Sequence, residues 1–262
     1  MKNALSYFLV FLGVQAVIVA AAGQLNGLLD TMLIHVLAVG VSALVTITLF
    51  CLLRWATPTK DYILTRPWST LLWSAIAAVG CIIPSVFIQE FIVWPQSWLE
   101  LFNTKETEEL LSGMMATTGG FFVIAILQPL AEELVFRGAI LRSLLKWQPE
   151  RRWLMIVLSA LLFAMAHMNP MQFIHPLLIG LLLGWMYERT HSIIPGVLFH
   201  WVNNTVAVVA TILYADKPDF SLTDLWGPQR VYFAVGFSLL ILLPALYQLH
   251  LLMKRPSSQK LF

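Results

Sequence analysis

Two adjacent carboxylates and an arginine, Glu132, Glu133 and Arg137, close the apolar run from Phe121 to Leu130. A charge at the centre of a membrane helix costs roughly 2.5–3.5 kcal/mol on insertion scales, so acids at that depth mark a functional site by default. On a helix Glu133 and Arg137 stand at i,i+4 and can pair, while Glu132 is turned about 100° away from Glu133. A single Glu–Arg pair would serve only to pin two helices together. Two acids with one arginine leave Glu132 in surplus, and the chemistry open to it is proton transfer, as a base or in a relay.

Two later segments carry polar groups at comparable depth. Phe163 and His167 share a helix face at i,i+4 at the end of an apolar run, and His200 and Asn204 do the same inside another. Taken singly, His167 reads as an interfacial ring and the His200/Asn204 pair as hydrogen-bonding glue between helices, worth about 0.6–2 kcal/mol per contact. Glu132, His167 and His200 on successive segments make one shared site the better reading. His35, His175, His191 and His250 fall outside this pattern, with His175 the nearest to an exception.

The elements that must hold these residues are membrane helices. The chain of 262 residues is 59% hydrophobic and only 11% charged, with a mean hydropathy of +0.78; soluble domains are about 25% charged. An all-α polytopic membrane protein follows. About eight runs are long enough to cross a bilayer: Leu5–Ala22, Leu33–Leu53, Leu71–Phe87, Gly119–Phe136, Trp153–His167, Met171–Tyr187, Ile193–Tyr214 and Val231–Met253. The first exceeds a signal-peptide core and is read as a helix. Without internal repeats or low-complexity linkers, residues 1–262 read as one transmembrane domain, with the motif-bearing core at 113–214.

Charge sets the orientation. With a cytoplasmic amino terminus, all but three of the 16 Lys and Arg residues fall on inner segments, the exceptions being Lys105, Lys217 and Arg230, which lie among Glu106, Glu108, Glu109, Asp216, Asp219 and Asp224. That asymmetry supports an even number of crossings and both termini inside, and fits a bacterial cytoplasmic membrane. The scattered basic residues form no nucleic-acid stripe. Cys51 and Cys81 sit at or within apolar runs and read as packing residues. Gly138–Trp147, with Arg142 and Lys146, reads as an amphipathic continuation along the inner surface, Gln89–Leu111 as an interfacial external segment, and Gly180 with Gly184 as a small-xxx-small packing pattern.

The segments Glu132-Glu133-x-x-x-Arg137, Phe163-x-x-x-His167 and His200-x-x-x-Asn204 resemble, in residue and order, the three motifs of the CPBP family. That family comprises Rce1-type CAAX prenyl proteases and bacteriocin-processing or self-immunity proteins, and is also called the Abi or type II CAAX protease family. The resemblance covers roughly residues 113–214. It implies an intramembrane endopeptidase acting on a membrane-tethered protein or peptide, such as a prenylated tail, a leader peptide or a signal anchor.

Carried over residue by residue, the resemblance makes Glu132 the catalytic base, with His167 beside it holding the water. A neutral His200 and the Asn204 amide then face the developing oxyanion, and Glu133, Arg137 and Phe163 support them. A zinc reading would take Glu132, His167 and His200 as ligands. The metal-free reading is preferred because a zinc site would consume the base, and because no His-Glu-x-x-His helix is present. A non-catalytic adaptor or immunity protein of the same fold is the alternative function.

Helix counting leaves one tension, with His200 shallow and His167 near the far end of its helix. A packed site requires either a tilted, late-starting helix or a Gly138–Arg152 segment that enters the membrane.

Overall fold

A computed structural model describes residues 2–56, 68–214 and 221–253. Lys60, Arg66, Asp216, Lys217, Asp219, Lys254, Arg255 and Lys260, used above for orientation, lie outside the described residues. Within them the regular structure is helical, apart from one isolated bridge between Asn26 and Leu29. The protein is an all-α polytopic membrane protein.

The helices are α1 (Lys2–Gly23), α2 (Thr31–Leu52), α3 (Ser69–Glu90), the short α4 (Gln96–Leu101) and α5 (Thr104–Met115). They continue as α6 (Thr118–Trp147), α7 (Arg152–Ala166), α8 (Ile174–Thr190), α9 (Ile194–Leu213), α10 (Leu222–Trp226) and α11 (Pro228–Leu252). Local chemistry sets several starts. Asp30 accepts from the Leu33 N–H at 3.0 Å ahead of α2, Thr117 accepts from the Gly120 N–H at 2.9 Å ahead of α6, and Ser221 with Asp224 forms a capping box on α10.

Seven helices are long and apolar enough to span a bilayer: α1, α2, α3, α6, α9, α11 and α8 with the turn before it. The eighth run, Trp153–His167, forms only the 15-residue α7, about 22 Å long against a hydrocarbon core of about 30 Å. It stops at the level of the site, where a turn through Pro170–Gln172 sends α8 back. The two chain ends nevertheless share one end of the bundle. Arg152 at the start of α7 pairs with Glu188 near the end of α8 at 2.9 Å, and Arg189 contacts His250 of α11 at 3.3 Å. Ala4 of α1 belongs to the apolar cluster that holds Leu144 and Leu145 of α6.

The core surrounds α6. Phe136 meets Phe8 and Phe11 of α1 and Phe163 of α7 edge-on, at 5.1–6.3 Å between ring centres. Every side chain from Leu134 to Leu141 is buried, and Leu144 and Leu145 beyond them are buried too. Gly138–Leu141 is therefore no surface piece, whereas from Arg142 on only Leu144 and Leu145 are buried and Lys146 and Trp147 are exposed. The expected amphipathic segment is the last part of α6, continuous with the buried helix and not a separate piece along the inner surface. Glu132 is 15 residues above the end of α6 and His167 is 15 above the start of α7, so both stand about 22 Å from that end; α9 begins late, with Ile193 3.7 Å from a Cβ placed on Gly138, which raises His200 to the same depth and resolves the tension.

The small residues on α8 do what their spacing implied. A Cβ added at Gly180 would sit 3.0 Å from the Ala160 Cβ and 3.1 Å from its Cα, and one at Gly184 would sit 2.9 Å from the Ile156 side chain. Gly180→Val must push α7 and α8 apart, at a cost of about 1–3 kcal/mol for overpacking. Thermal unfolding in detergent is expected to show a lower midpoint, partly restored by a second change, Ala160→Gly; an unchanged midpoint would mean that the helix pair yields without cost.

Candidate active site

The backbone of α6 is not a uniform α-helix around its acids. Val123–Leu127 and Leu134–Leu141 take the wider π register on either side of Gln128–Glu133, an irregularity common at functional sites. Pro129 has no N–H to return to the preceding turn. The carbonyl of Ile124, five residues back, instead accepts from the Asn204 side-chain amide at 3.0 Å, and that of Ile126 accepts from the Trp201 indole N–H at 2.7 Å. Helix α9 is thus fastened to α6 just before the carboxylates, which brings His200 to them.

The carboxylates have different partners. Glu133, with 0% exposure, accepts from Arg137 Nη1 at 2.7 Å. The guanidinium Nη2 donates to the Gly180 carbonyl at 3.3 Å and the group lies over the Phe163 ring, with Cζ 4.5 Å from the ring centre. Glu132 accepts from the Gln128 amide at 3.0 Å and faces His200 Nε2 at 3.6 Å. The surplus acid expected from the spacing is therefore the one without an arginine.

His200 lies between the two acids, its Nδ1 3.3 Å from Glu133 Oε1. A carboxylate only accepts, so in a neutral ring the hydrogen is assigned to Nδ1 and Nε2 carries the lone pair. A neutral His200 donating from Nε2, as the sequence reading had it, does not fit this contact; Nε2 donates only when the ring holds a second proton. Phe163 joins the histidines, its ring edge-on to His167 at 5.1 Å and to His200 at 5.7 Å. The His167 Nδ1 is 3.0 Å from the Phe163 carbonyl, the only oxygen there being an acceptor, so Nδ1–H donates and Nε2 is left as an acceptor. Gly196 makes the approach of α9 possible, since a Cβ there would meet Glu133 Oε2 at 2.9 Å.

All seven sequence-predicted residues thus belong to one connected neighbourhood on α6, α7 and α9. Asn204 is a departure in detail, because one of its amide hydrogens is committed to the Ile124 carbonyl. No group of three His, Cys, Asp or Glu side chains among the described residues is placed to hold a metal. Gln128 and Asn203 were passed over, and His175 was singled out only as the nearest exception among the other histidines. Gln128 stands four residues before Glu132, and Asn203 three after His200, so both share the site's helix faces; half-buried His175 gave only its position near the start of an apolar run.

No curated protein and no solved structure matched the chain. Residues 115–206, which hold every motif position from Glu132 to Asn204, match the family model described as Type II CAAX prenyl endopeptidase Rce1-like.

Proposed function

We propose that the protein is an intramembrane endopeptidase in which Glu132 activates water to hydrolyse a peptide bond of a membrane-tethered substrate. The match of residues 115–206 to the Rce1-like family model supports the protease class. The observation that carries the mechanism is the unequal division of the acids: Glu133 is committed to Arg137 at 2.7 Å, whereas Glu132 has, among the described residues, no cationic partner but His200 at 3.6 Å and accepts from the Gln128 amide.

In this reading Glu132 takes one proton from a water that His167 Nε2 also holds, and the hydroxide oxygen adds to the scissile carbonyl carbon. Proton transfer from a positioned acid or base contributes about 10²–10⁴-fold. The charge that develops on the carbonyl oxygen is met by the second amide hydrogen of Asn204, with the His200 ring beside it. Glu132 then delivers its proton to the leaving nitrogen as the C–N bond breaks. Arg137, bound to Glu133, Gly180 and Phe163, keeps the supporting groups in register. The reaction is proposed to need no metal.

The substrate class is a membrane-anchored protein or peptide: a prenylated CAAX-like tail, a leader peptide or a signal anchor. The excess of basic residues on one set of loops supports a place in a bacterial cytoplasmic membrane with those loops inside.

The test compares membrane-protein termini by mass spectrometry in wild-type, Glu132→Ala and deletion strains at matched protein level. A set of cleaved termini absent from both altered strains is expected, and names the substrate. A deletion phenotype with wild-type behaviour of Glu132→Ala would replace the protease by an adaptor.

A further inference from the structure

Beside the carboxylates, three side chains that the hydrolysis does not use join three helices in a line. Ser85 of α3 lies 2.7 Å from His175 Nδ1 on α8, His175 Nε2 lies 3.3 Å from the Asn203 amide nitrogen on α9, and that nitrogen lies 3.5 Å from Asn204 Oδ1. The direction of every bond is fixed from one end. The Ile124 carbonyl can only accept, so the Asn204 nitrogen faces it and Asn204 Oδ1 is turned to Asn203. Asn203 must then donate to it and to His175 Nε2, which leaves the hydrogen of a neutral His175 on Nδ1. Ser85 accepts that hydrogen and passes its own to the Cys81 carbonyl at 2.7 Å.

One atom records how firmly this order is imposed. Asn203 Oδ1 is buried with no hydrogen-bond partner, on a residue only 3% exposed. Turning the amide over would set Asn203 Oδ1 against Asn204 Oδ1 and the His175 lone pair, so the line holds Asn203 in the orientation that strands its oxygen. His175 itself is anchored from α3 a second time, its backbone N–H donating to Gln89 Oε1 at 3.1 Å.

We propose that His175 is a positioning residue for hydrolysis, which, with Ser85 behind it, fixes the side-chain amide of Asn204 through Asn203. Its lone pair keeps Asn203 donating to Asn204 Oδ1. Asn204 is thereby locked with one hydrogen on Ile124 and the other directed at the reaction space. Helix α3, which carries none of the three motifs, thus contributes to catalysis through Ser85. This rests on the reading of Asn204 as a donor to the oxyanion.

The test uses full-length protein in detergent micelles and a quenched peptide spanning the bond whose cleavage Glu132→Ala abolishes. His175→Leu removes the acceptor and is expected to lower kcat by roughly tenfold or more, up to the 10²–10³ lost with a whole oxyanion donor, with KM within about twofold of wild type on the same reading. His175→Gln, whose amide offers one acceptor and one donor in the same places, should recover most of the rate; Ser85→Ala should lose part of it. In an Asn204→Ala background His175→Leu should cost nothing more, since coupled residues are not additive.

A wild-type kcat for His175→Leu, an equal further loss in the Asn204→Ala background, or a His175→Gln protein as slow as His175→Leu overturns the proposal. Wild-type kcat for Asn204→Ala refutes the oxyanion reading itself, a different failure. If His175→Leu does not fold, His175→Gln and Ser85→Ala decide by the same rates. A readout free of substrate is the side-chain amide resonance of Asn204 in ¹⁵N spectra, which should move in Ser85→Ala and stay in place in His175→Gln; no movement in Ser85→Ala refutes the line of bonds.

Discussion

Glu132→Gln is expected to leave the protein folded and to remove its cleavage activity, kcat falling by about 10²–10⁴, the range assigned to a positioned base. The substitution keeps the volume and one acceptor oxygen. The Gln128 amide, 3.0 Å from Glu132 Oε1, can donate to the new amide as it does to the acid, and the amide nitrogen would turn to His200 Nε2, an acceptor in the neutral ring. Both polar contacts of residue 132 survive, so the unfolding midpoint should stay within a few degrees of wild type. What is lost is the ability to take a proton from water. Glu132→Asp makes the complementary measurement: the base is retained but drawn back by one methylene, and an intermediate kcat is expected. A Glu132→Gln protein that cleaves at the wild-type rate would remove Glu132 from the mechanism. A loss of activity accompanied by a large fall in midpoint would make the residue structural.

The part of this site legible in the sequence is the part governed by helical spacing. The i,i+4 step from Glu133 to Arg137 foretold their ion pair, and the one-residue offset of Glu132 foretold which acid would lack an arginine. Phe163 with His167, and His200 with Asn204, were likewise readable as faces. What spacing could not supply is which carbonyls α6 leaves open. Pro129 is visible in the sequence, but the two π segments, and hence the use of Asn204 and Trp201 to fill the Ile124 and Ile126 carbonyls, depend on how α9 packs. The Nδ1 contact of His200 was unreadable for the same reason, since Glu133 reaches it only in the assembled bundle.

Helix ends were misread where burial rather than hydropathy decides them. Arg142 and Lys146 broke the apolar pattern after Gly138, and the pattern was taken for a surface helix. The side chains between them, Leu144 and Leu145, are buried against α1 and its neighbours, and α6 extends about 16 Å farther than Phe136. That extension sets the depth of Glu132 level with His167. The short α7 was counted as a full crossing because its composition is as apolar as that of the longer helices; its length, fixed by the turn at Asn169 and Pro170, distinguishes it.

Arg137→Met is expected to be the most destabilising single change at the site. Arg137 is 1% exposed and is the cation for a carboxylate that is itself fully buried. Removing one member of such a pair costs about 3–5 kcal/mol, because the other is left charged and dry. On the scale of about 2–4 °C per kcal/mol for chains of this size, the unfolding midpoint in detergent should fall by roughly 6–20 °C. The change also strips the Gly180 carbonyl of its donor and the Phe163 face of its cation. Arg137→Lys should fall between the two, since an ammonium can reach Glu133 but cannot also span Gly180 and Phe163 as the planar guanidinium does. Pairing Arg137→Met with Glu133→Gln removes the stranded charge and should return most of the stability, as neutral replacements of buried pairs do. It should not return activity, because His200 Nδ1 would then face an amide in place of the carboxylate that holds its hydrogen. Recovery of both would mean that the pair serves only to hold α6 in place; recovery of neither would mean that the fold depends on the shape of the guanidinium and not on its charge.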